Sequence, residues 1–241
     1  MRAPDTILPL VLRGVSYDAG GGPLVDSVSC AFQAGPRTIV LGPNGAGKSL
    51  LLRLCHGLIR PTAGEIVWQG ARGRDPLPRQ AMVFQRPVML RRSAAANLSY
   101  ALSVRGVPRR ARAAAVAEAL ERTGLGRLAR RPARVLSAGE QQRLALARAW
   151  ALEPEVLFLD EPTANLDPAA TAAVEDIIDA IHAAGTRVIM TTHDLGQARR
   201  LADEVMFLHR GRLVEHAAAA EFFAGPRSDA ARAFLDGRLV W

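Results

Sequence analysis

Thr38-Ile39-Val40-Leu41-Gly42-Pro43-Asn44-Gly45-Ala46-Gly47-Lys48-Ser49 decides the fold: an apolar, strand-like run feeds a glycine-rich turn that opens a leucine-dense helix over Leu50–Leu58. Glycine, four residues, then Gly47-Lys48-Ser49 arises by chance in roughly one chain in a hundred of this length. The glycines let backbone N–H groups turn inward around phosphate oxygens, and a helix N-terminus adds its partial positive charge. Gly42, Pro43, Asn44, Gly45, Ala46, Gly47 and Leu50 form the candidate cradle, with Lys48 reaching the β and γ phosphates and the Ser49 hydroxyl offered to Mg²⁺. Lys48 is the only lysine in the chain, every other basic residue of the Lys and Arg class being arginine.

Val156-Leu157-Phe158-Leu159-Asp160-Glu161 supplies the complement, an apolar strand with two carboxylates at its carboxyl end, where ligands sit in open α/β sheets. An acidic pair after a strand is by itself most often a solvated turn. Beside a phosphate loop, Asp160 is placed for the Mg²⁺ shell. Glu161 lies beyond it, placed to orient or deprotonate a water attacking the γ-phosphate, a role worth ~10²–10⁴ in rate.

Working outward, residues 7–41 read as short strands punctuated by Gly20-Gly21-Gly22-Pro23 and Gly35-Pro36, an antiparallel start that feeds a buried strand. Glu65–Gln69 and Ala81–Gln85 read as further strands. Residues 94–152 lose strand character and become alanine-rich helical stretches broken at Pro108, Gly124 and Pro132. Strands return at 188–190 and 205–208 with helices between, which means a parallel sheet covered on both faces. One of those helices starts at Asp167-Pro168, carries Val174, Ile177, Ile178 and Ile181 on one stripe, and closes at Gly185.

The 241 residues, 49% hydrophobic and 22% charged, can fill one good core but hardly two. The net charge of +8 is spread over scattered arginines, and the short clusters such as Arg109-Arg110 and Arg130-Arg131 have no interleaved aromatics to stack on bases. No nucleic-acid partner is expected. Cys30 and Cys55 lack metal-type spacing and fit a reducing cytosolic compartment. No stretch approaches the roughly 18 apolar residues needed to span a bilayer, and no secretory segment is expected.

Leu136-Ser137-Ala138-Gly139-Glu140-Gln141-Gln142 lies between the two motifs, opens a helix, and resembles the signature motif of ABC-type ATPases. Other family elements follow in order: Gln85, ending a strand, is similar to the Q-loop; Ala164-Asn165-Leu166-Asp167 to the D-loop; His193 to the switch histidine; and Tyr17 to the aromatic that stacks on adenine. Asp167 reads equally as a helix cap, and Tyr17 as ordinary sheet packing. His56, His182, His209 and His216 have no spacing partner and are assigned to structure or surface.

The resemblance implies an α/β fold: a P-loop NTPase (RecA-like) core with an N-terminal antiparallel β subdomain and an inserted α-helical subdomain. It divides a single domain over 1–241 into a nucleotide-binding core with the β subdomain (1–85 and 153–241) and a helical signature subdomain (86–152). It implies ATP and Mg²⁺ as cofactors, Glu161, His193 and Lys48 as catalytic groups, and Ser49, Gln85 and Asp160 at the metal. It further implies a head-to-tail homodimer with two ATP molecules in the interface, each between one P-loop and Ser137, Ala138, Gly139 and Glu140 of the other copy. Ala138 and Glu140 depart from the commonest form, glycine and glutamine. Lost backbone freedom and negative charge near phosphate leave slower turnover or a more dynamic dimer open.

One nucleotide-binding domain without fused spans looks like the energising subunit of a bacterial importer, cytoplasmic and peripheral on the inner face of the cell membrane. Its partners would be permease subunits and, indirectly, a substrate-binding protein. Arg86-Pro87-Val88-Met89-Leu90 falls in the family's groove for a permease helix, or Val88 and Met89 serve the core. With the last strands so close to Trp241, the regulatory domain carried by sugar-type importers is not expected. Phe84–Ser93 and Phe222–Leu235 look similar to ATPases of oxyanion importers, tungstate in particular, with phosphate and polar amino-acid importers as close alternatives. A non-transport ABC ATPase would carry long coiled coils or tandem domains, and a P-loop kinase would not need the signature, Gln85 or His193.

Overall fold

Residues 6–73 and 75–238 are described by the structure, a computed structural model. The chain opens with antiparallel strands β1 (Leu10–Asp18) and β2 (Pro23–Phe32), runs through β3 (Thr38–Leu41) into helix α1 (Lys48–His56), and returns in β4 (Ala63–Trp68) to pair with β1. β5 (Gln80–Val83) leads into three helices, α2 (Ala94–Val104), α3 (Arg109–Arg122) and α4 (Ala138–Trp150). The remainder alternates: β6 (Val156–Asp160), α5 (Pro168–Ala183), β7 (Arg187–Thr191), α6 (Leu195–Leu201), β8 (Glu204–His209), β9 (Arg212–Ala218), α7 (Ala219–Ala224) and α8 (Asp229–Leu235). One sheet has the order β2-β1-β4 and the other β5-β6-β7-β3-β8-β9, the latter parallel except for β9 against β8.

Period-two alternation along the buried strands splits the core between the two faces of the larger sheet. Ile39, Leu41, Leu157, Leu159, Val188, Met190, Val205 and Phe207 pack with residues of α2 to α7. Val40, Val156, Phe158, Ile189, Met206 and Leu208 pack with Leu51, Leu52 and Leu54 of α1 and with Leu10, Leu12 and Val25 of the smaller sheet. Each fully buried side chain of this kind contributes about 1.5–3 kcal/mol. Strands β6, β7 and β3 are neighbours, so their carboxyl ends, Asp160, Thr191 and the turn after Leu41, meet at one edge.

The expected helix over Leu50–Leu58 instead spans Lys48–His56, because Gly57 turns the chain left-handed at φ 85° and the Gly57 and Leu58 N–H groups donate to Leu54 and Arg53 carbonyls, closing the last turn. The strands expected at Glu65–Gln69 and Ala81–Gln85 lie slightly earlier, at 63–68 and 80–83. Gln85 therefore does not end a strand but sits in a bend two residues beyond β5 and two residues before Pro87, which cannot donate to a ladder. Helix α5 matches its reading from Asp167, whose carboxylate accepts the Ala170 N–H at 2.9 Å, to the stripe Val174, Ile177, Ile178, Ile181.

Candidate functional site

An open cleft is lined by Asn44 to Leu50, with Leu24, Arg53 and Glu161 at its walls. Gly47 holds φ 95° and lies where a Cβ would come 2.7 Å from the Leu24 carbonyl, so the turn into α1 requires a residue without one. No side chain caps α1 and no acidic residue occupies its first turn, leaving the helix N-terminus directed at the cleft. Lys48 is only 5% exposed, and its Nζ donates to the Gly42 and Pro43 carbonyls at 2.8 and 3.0 Å. Burial lowers its pKa, while the charges of Glu161 and Asp160 pull it back up. Its hydrogen-bond partners are neutral carbonyls, so a phosphate entering the cleft would add a direct ionic partner to the nearby charges of Glu161 and Asp160.

Asp160 faces this loop across the sheet edge. Its Oδ1 accepts the Ser49 hydroxyl at 2.5 Å and the Thr191 hydroxyl at 3.0 Å, and Arg53 Nη2 lies 3.8 Å from Oδ2. Glu161 holds a left-handed φ of 45°, fixed by its N–H donating to Thr191 Oγ1 at 2.9 Å and to the Thr191 carbonyl at 3.2 Å. Non-glycine residues in that region persist where surrounding contacts over-determine them. Glu161 Oε2 accepts Gln85 Nε2 at 3.4 Å and lies 3.2 Å from His193 Nδ1. Gly42 to Leu50, Gln85, Asp160, Glu161 and His193 thus converge.

Mg²⁺ retains several waters and takes one or two protein oxygens together with phosphate oxygens. Ser49 Oγ and Asp160 Oδ1, hard donors already 2.5 Å apart, fit that requirement. Among the described residues no group of three or more His, Cys, Asp and Glu side chains could hold a metal ion.

The signature residues form a separate element. Ser137 caps α4 by accepting the Glu140 N–H at 3.3 Å, and Glu140 Oε2 reaches back to the Ser137 N–H at 2.7 Å, a reciprocal capping box. Glu140 has this local partner, and Ala138 sits in the first helical turn, outside the residues of positive φ. Gly139 is buried where a Cβ would come 2.6 Å from Ala170 Cβ, so the start of α4 abuts the start of α5. Tyr17 is half-buried in β1 opposite Val25 and packs on the core rather than in the cleft lining. Met89 is core at 5% exposure and Val88 is 73% exposed, so core packing explains only the first of them.

Four contributors escaped the sequence reading. Thr191 was hidden in an apolar strand, although the Thr191-Thr192 pair before His193 is a signal. Arg53 lies one helical turn after Ser49, a spacing that shares a face. Leu24 reaches the cleft only through sheet pairing. Buried Asn97 bonds Leu90, Arg92 and Ser93 backbone groups, fixing the loop after Gln85.

Residues 25–164 match the ABC transporter family. The chain belongs to that family. This ABC ATPase is 38% identical to the phosphate import ATP-binding protein PstB 2 of Natronomonas pharaonis, over 100% of this chain and 91% of the relative. It is also 38% identical to the tungstate uptake system ATP-binding protein TupC of Peptoclostridium acidaminophilum, over 86% of this chain and 98% of the relative. The solved structure of cbiO1 from Clostridium perfringens, described as part of the ABC transporter complex cbiONQ, superposes with a TM-score of 0.80 and 27% identity, covering 94% of each chain. The fold is that of the P-loop NTPases. No helix among the described residues is long and apolar enough to cross a membrane.

Proposed function

We propose that this ABC ATPase powers a membrane importer, and that its cargo is an oxyanion such as tungstate. The observation that carries the ATP-hydrolysing part of the reading is the convergence of buried Lys48, the Ser49–Asp160 pair and the Glu161–His193 pair. Lys48 and the N–H groups of the loop bind the phosphates of ATP. Ser49, Asp160 and Gln85 would hold Mg²⁺, which when bound offsets charge on the β and γ phosphates. Glu161 orients and deprotonates the attacking water, and His193 steadies its carboxylate from 3.2 Å. Tyr17, half-buried in β1, is proposed to stack on the adenine of ATP.

The uncapped γ-phosphate side is met by Ser137 of the partner subunit in a head-to-tail, ATP-dependent dimer. Helices α2 to α4 belong to a helical subdomain over 86–152, and 1–85 with 153–241 forms the nucleotide-binding core. Exposed Val88, held through its carbonyl by Arg148 Nη1 at 3.0 Å, faces a permease subunit at the cytoplasmic side of the membrane. A substrate-binding protein delivers cargo to that permease. The likeness to the tungstate-uptake protein supports the cargo reading, and the equal identity to the phosphate-import protein makes phosphate the second.

The test is reconstitution of the protein with its permease in vesicles together with the binding protein. Tungstate is expected to stimulate ATP hydrolysis. Stimulation by phosphate alone moves the cargo to the second reading, and stimulation by neither overturns the oxyanion assignment.

A further inference from the structure

The segment after Glu161 is tied to helix α6 by a buried polar chain. Gln197 is fully buried, and its Nε2 donates to Thr163 Oγ1 at 2.9 Å and to Glu175 Oε1 at 3.0 Å. Because a carboxylate only accepts, Glu175 fixes which end of the Gln197 amide faces it. Glu175 is itself gripped by Arg200, whose Nε and Nη2 donate to its two oxygens at 2.9 and 2.7 Å. The backbone of Gln197 is equally anchored, its N–H donating at 2.9 Å to Asp194, the residue that follows His193.

The loop on the other side of this chain needs such an anchor. Glu161 and Asn165 both hold positive φ, 45° and 62°, a conformation the surroundings must impose. Along this loop, Ala164 N–H donates to the Glu161 carbonyl and Leu166 N–H to that of Thr163, each at 3.2 Å. Downstream, Asp167 caps α5 through Ala170, which abuts Gly139. Thr163 is therefore the point at which α6 takes hold of the loop joining Glu161 to the start of α5.

We infer that Gln197 is a positioning residue for ATP hydrolysis: through Thr163 and Asp194 it fixes the spacing between Glu161 and His193. The inference rests on the hydrolytic reading of those two groups. Gln197 touches neither the phosphate loop nor Glu161 by hydrogen bond among the described residues, so nucleotide binding should not depend on it.

Steady-state ATP hydrolysis by Gln197→Met, Thr163→Val, Thr163→Ser and the double variant Thr163→Val with Gln197→Met tests this, with Lys48→Ala as reference. Gln197→Met and Thr163→Val are each expected to lower kcat about tenfold with KM for ATP within about twofold, the double variant to be no worse than the poorer single, and Thr163→Ser to restore kcat. A kcat for Thr163→Val within twofold of wild type overturns the role, as does a loss that Thr163→Ser shares or one that appears in KM. Should Gln197→Met fail to fold, the Thr163 pair carries the comparison alone. Wild-type hydrolysis by Lys48→Ala would overturn the hydrolytic reading and this inference together, whereas an intact Lys48 requirement with unaltered Thr163→Val sinks only the positioning role.

Discussion

Thr191 holds Asp160 from the neighbouring strand: its fully buried hydroxyl donates to Asp160 Oδ1 at 3.0 Å while accepting the Glu161 N–H at 2.9 Å. One hydroxyl thus holds the Asp160 carboxylate and the backbone of Glu161 at the end of β6. Replacing Thr191 by valine keeps the shape and removes both bonds, at about 1 kcal/mol each in stability. Turnover is expected to fall about tenfold as Glu161 loosens, and Thr191→Ser to retain it. Kinetics on the three proteins checks this; unchanged turnover in Thr191→Val would remove Thr191 from the site.

The adenine-stacking role proposed for Tyr17 is separable by experiment from the phosphate contacts. Losing an adenine-stacking face is worth ~1–3 kcal/mol, so Tyr17→Ala should raise KM for ATP between about fivefold and about a hundredfold with maximal turnover nearly intact. Nucleotide titration decides it, and an unchanged affinity returns Tyr17 to sheet packing against Val25.

Ala138 and Glu140 both fit the first turn of α4. Glu140 already satisfies the Ser137 N–H, and glutamine can make the same reciprocal cap. Glu140→Gln is expected to shift stability by no more than about 0.5 kcal/mol and to leave turnover within about threefold. A large gain in turnover would show that the carboxylate opposes phosphate after all.

At the amino-terminal ends of β7 and β8, Arg187 is 2% exposed, with Nη2 2.6 Å from Glu204 Oε1. Burial pushes the Glu204 pKa up, but hydrogen bonds from His216, Thr38 and Arg187 outweigh it and hold the group at about 2 against an ordinary 4.5. The folded value lies below the unfolded one, so this stabilisation is complete above pH 4.5 and is lost as pH falls towards 2. Its size is about 3 kcal/mol, and Glu204→Gln, which strands a buried cation, should cost about as much at neutral pH. Thermal melts against pH should show the wild type losing stability across that window and the variant losing much less there. Parallel pH profiles would exclude Glu204 as the source.

Much of this was legible because the chemistry is local in sequence. The phosphate loop, the Asp160-Glu161 pair and the Asp167 cap each occupy a few consecutive residues whose backbone requirement is visible in their types. What escaped depends on pairing between strands and helices: Thr191 acquires its role only because β7 lies beside β6, and Gln197 only because α6 packs against α5. Gln85 was displaced from a strand end because Pro87 and the bend before it interrupt the apolar run. Ala138 and Glu140 could not be judged without the cap geometry that absorbs them.

The central claim is that one copy's Lys48 loop and the Ser137 element of the partner subunit share each ATP, with Glu161 needed only for hydrolysis. Size-exclusion chromatography of Glu161→Gln with ATP tests it most directly. ATP should still load through Lys48, Ser49 and Asp160, and two unhydrolysed nucleotides should hold the chains as a dimer that disappears when Ser137→Arg is added. A Glu161→Gln protein that binds ATP yet runs as a monomer at all practical concentrations, or that hydrolyses at the wild-type rate, would contradict the account.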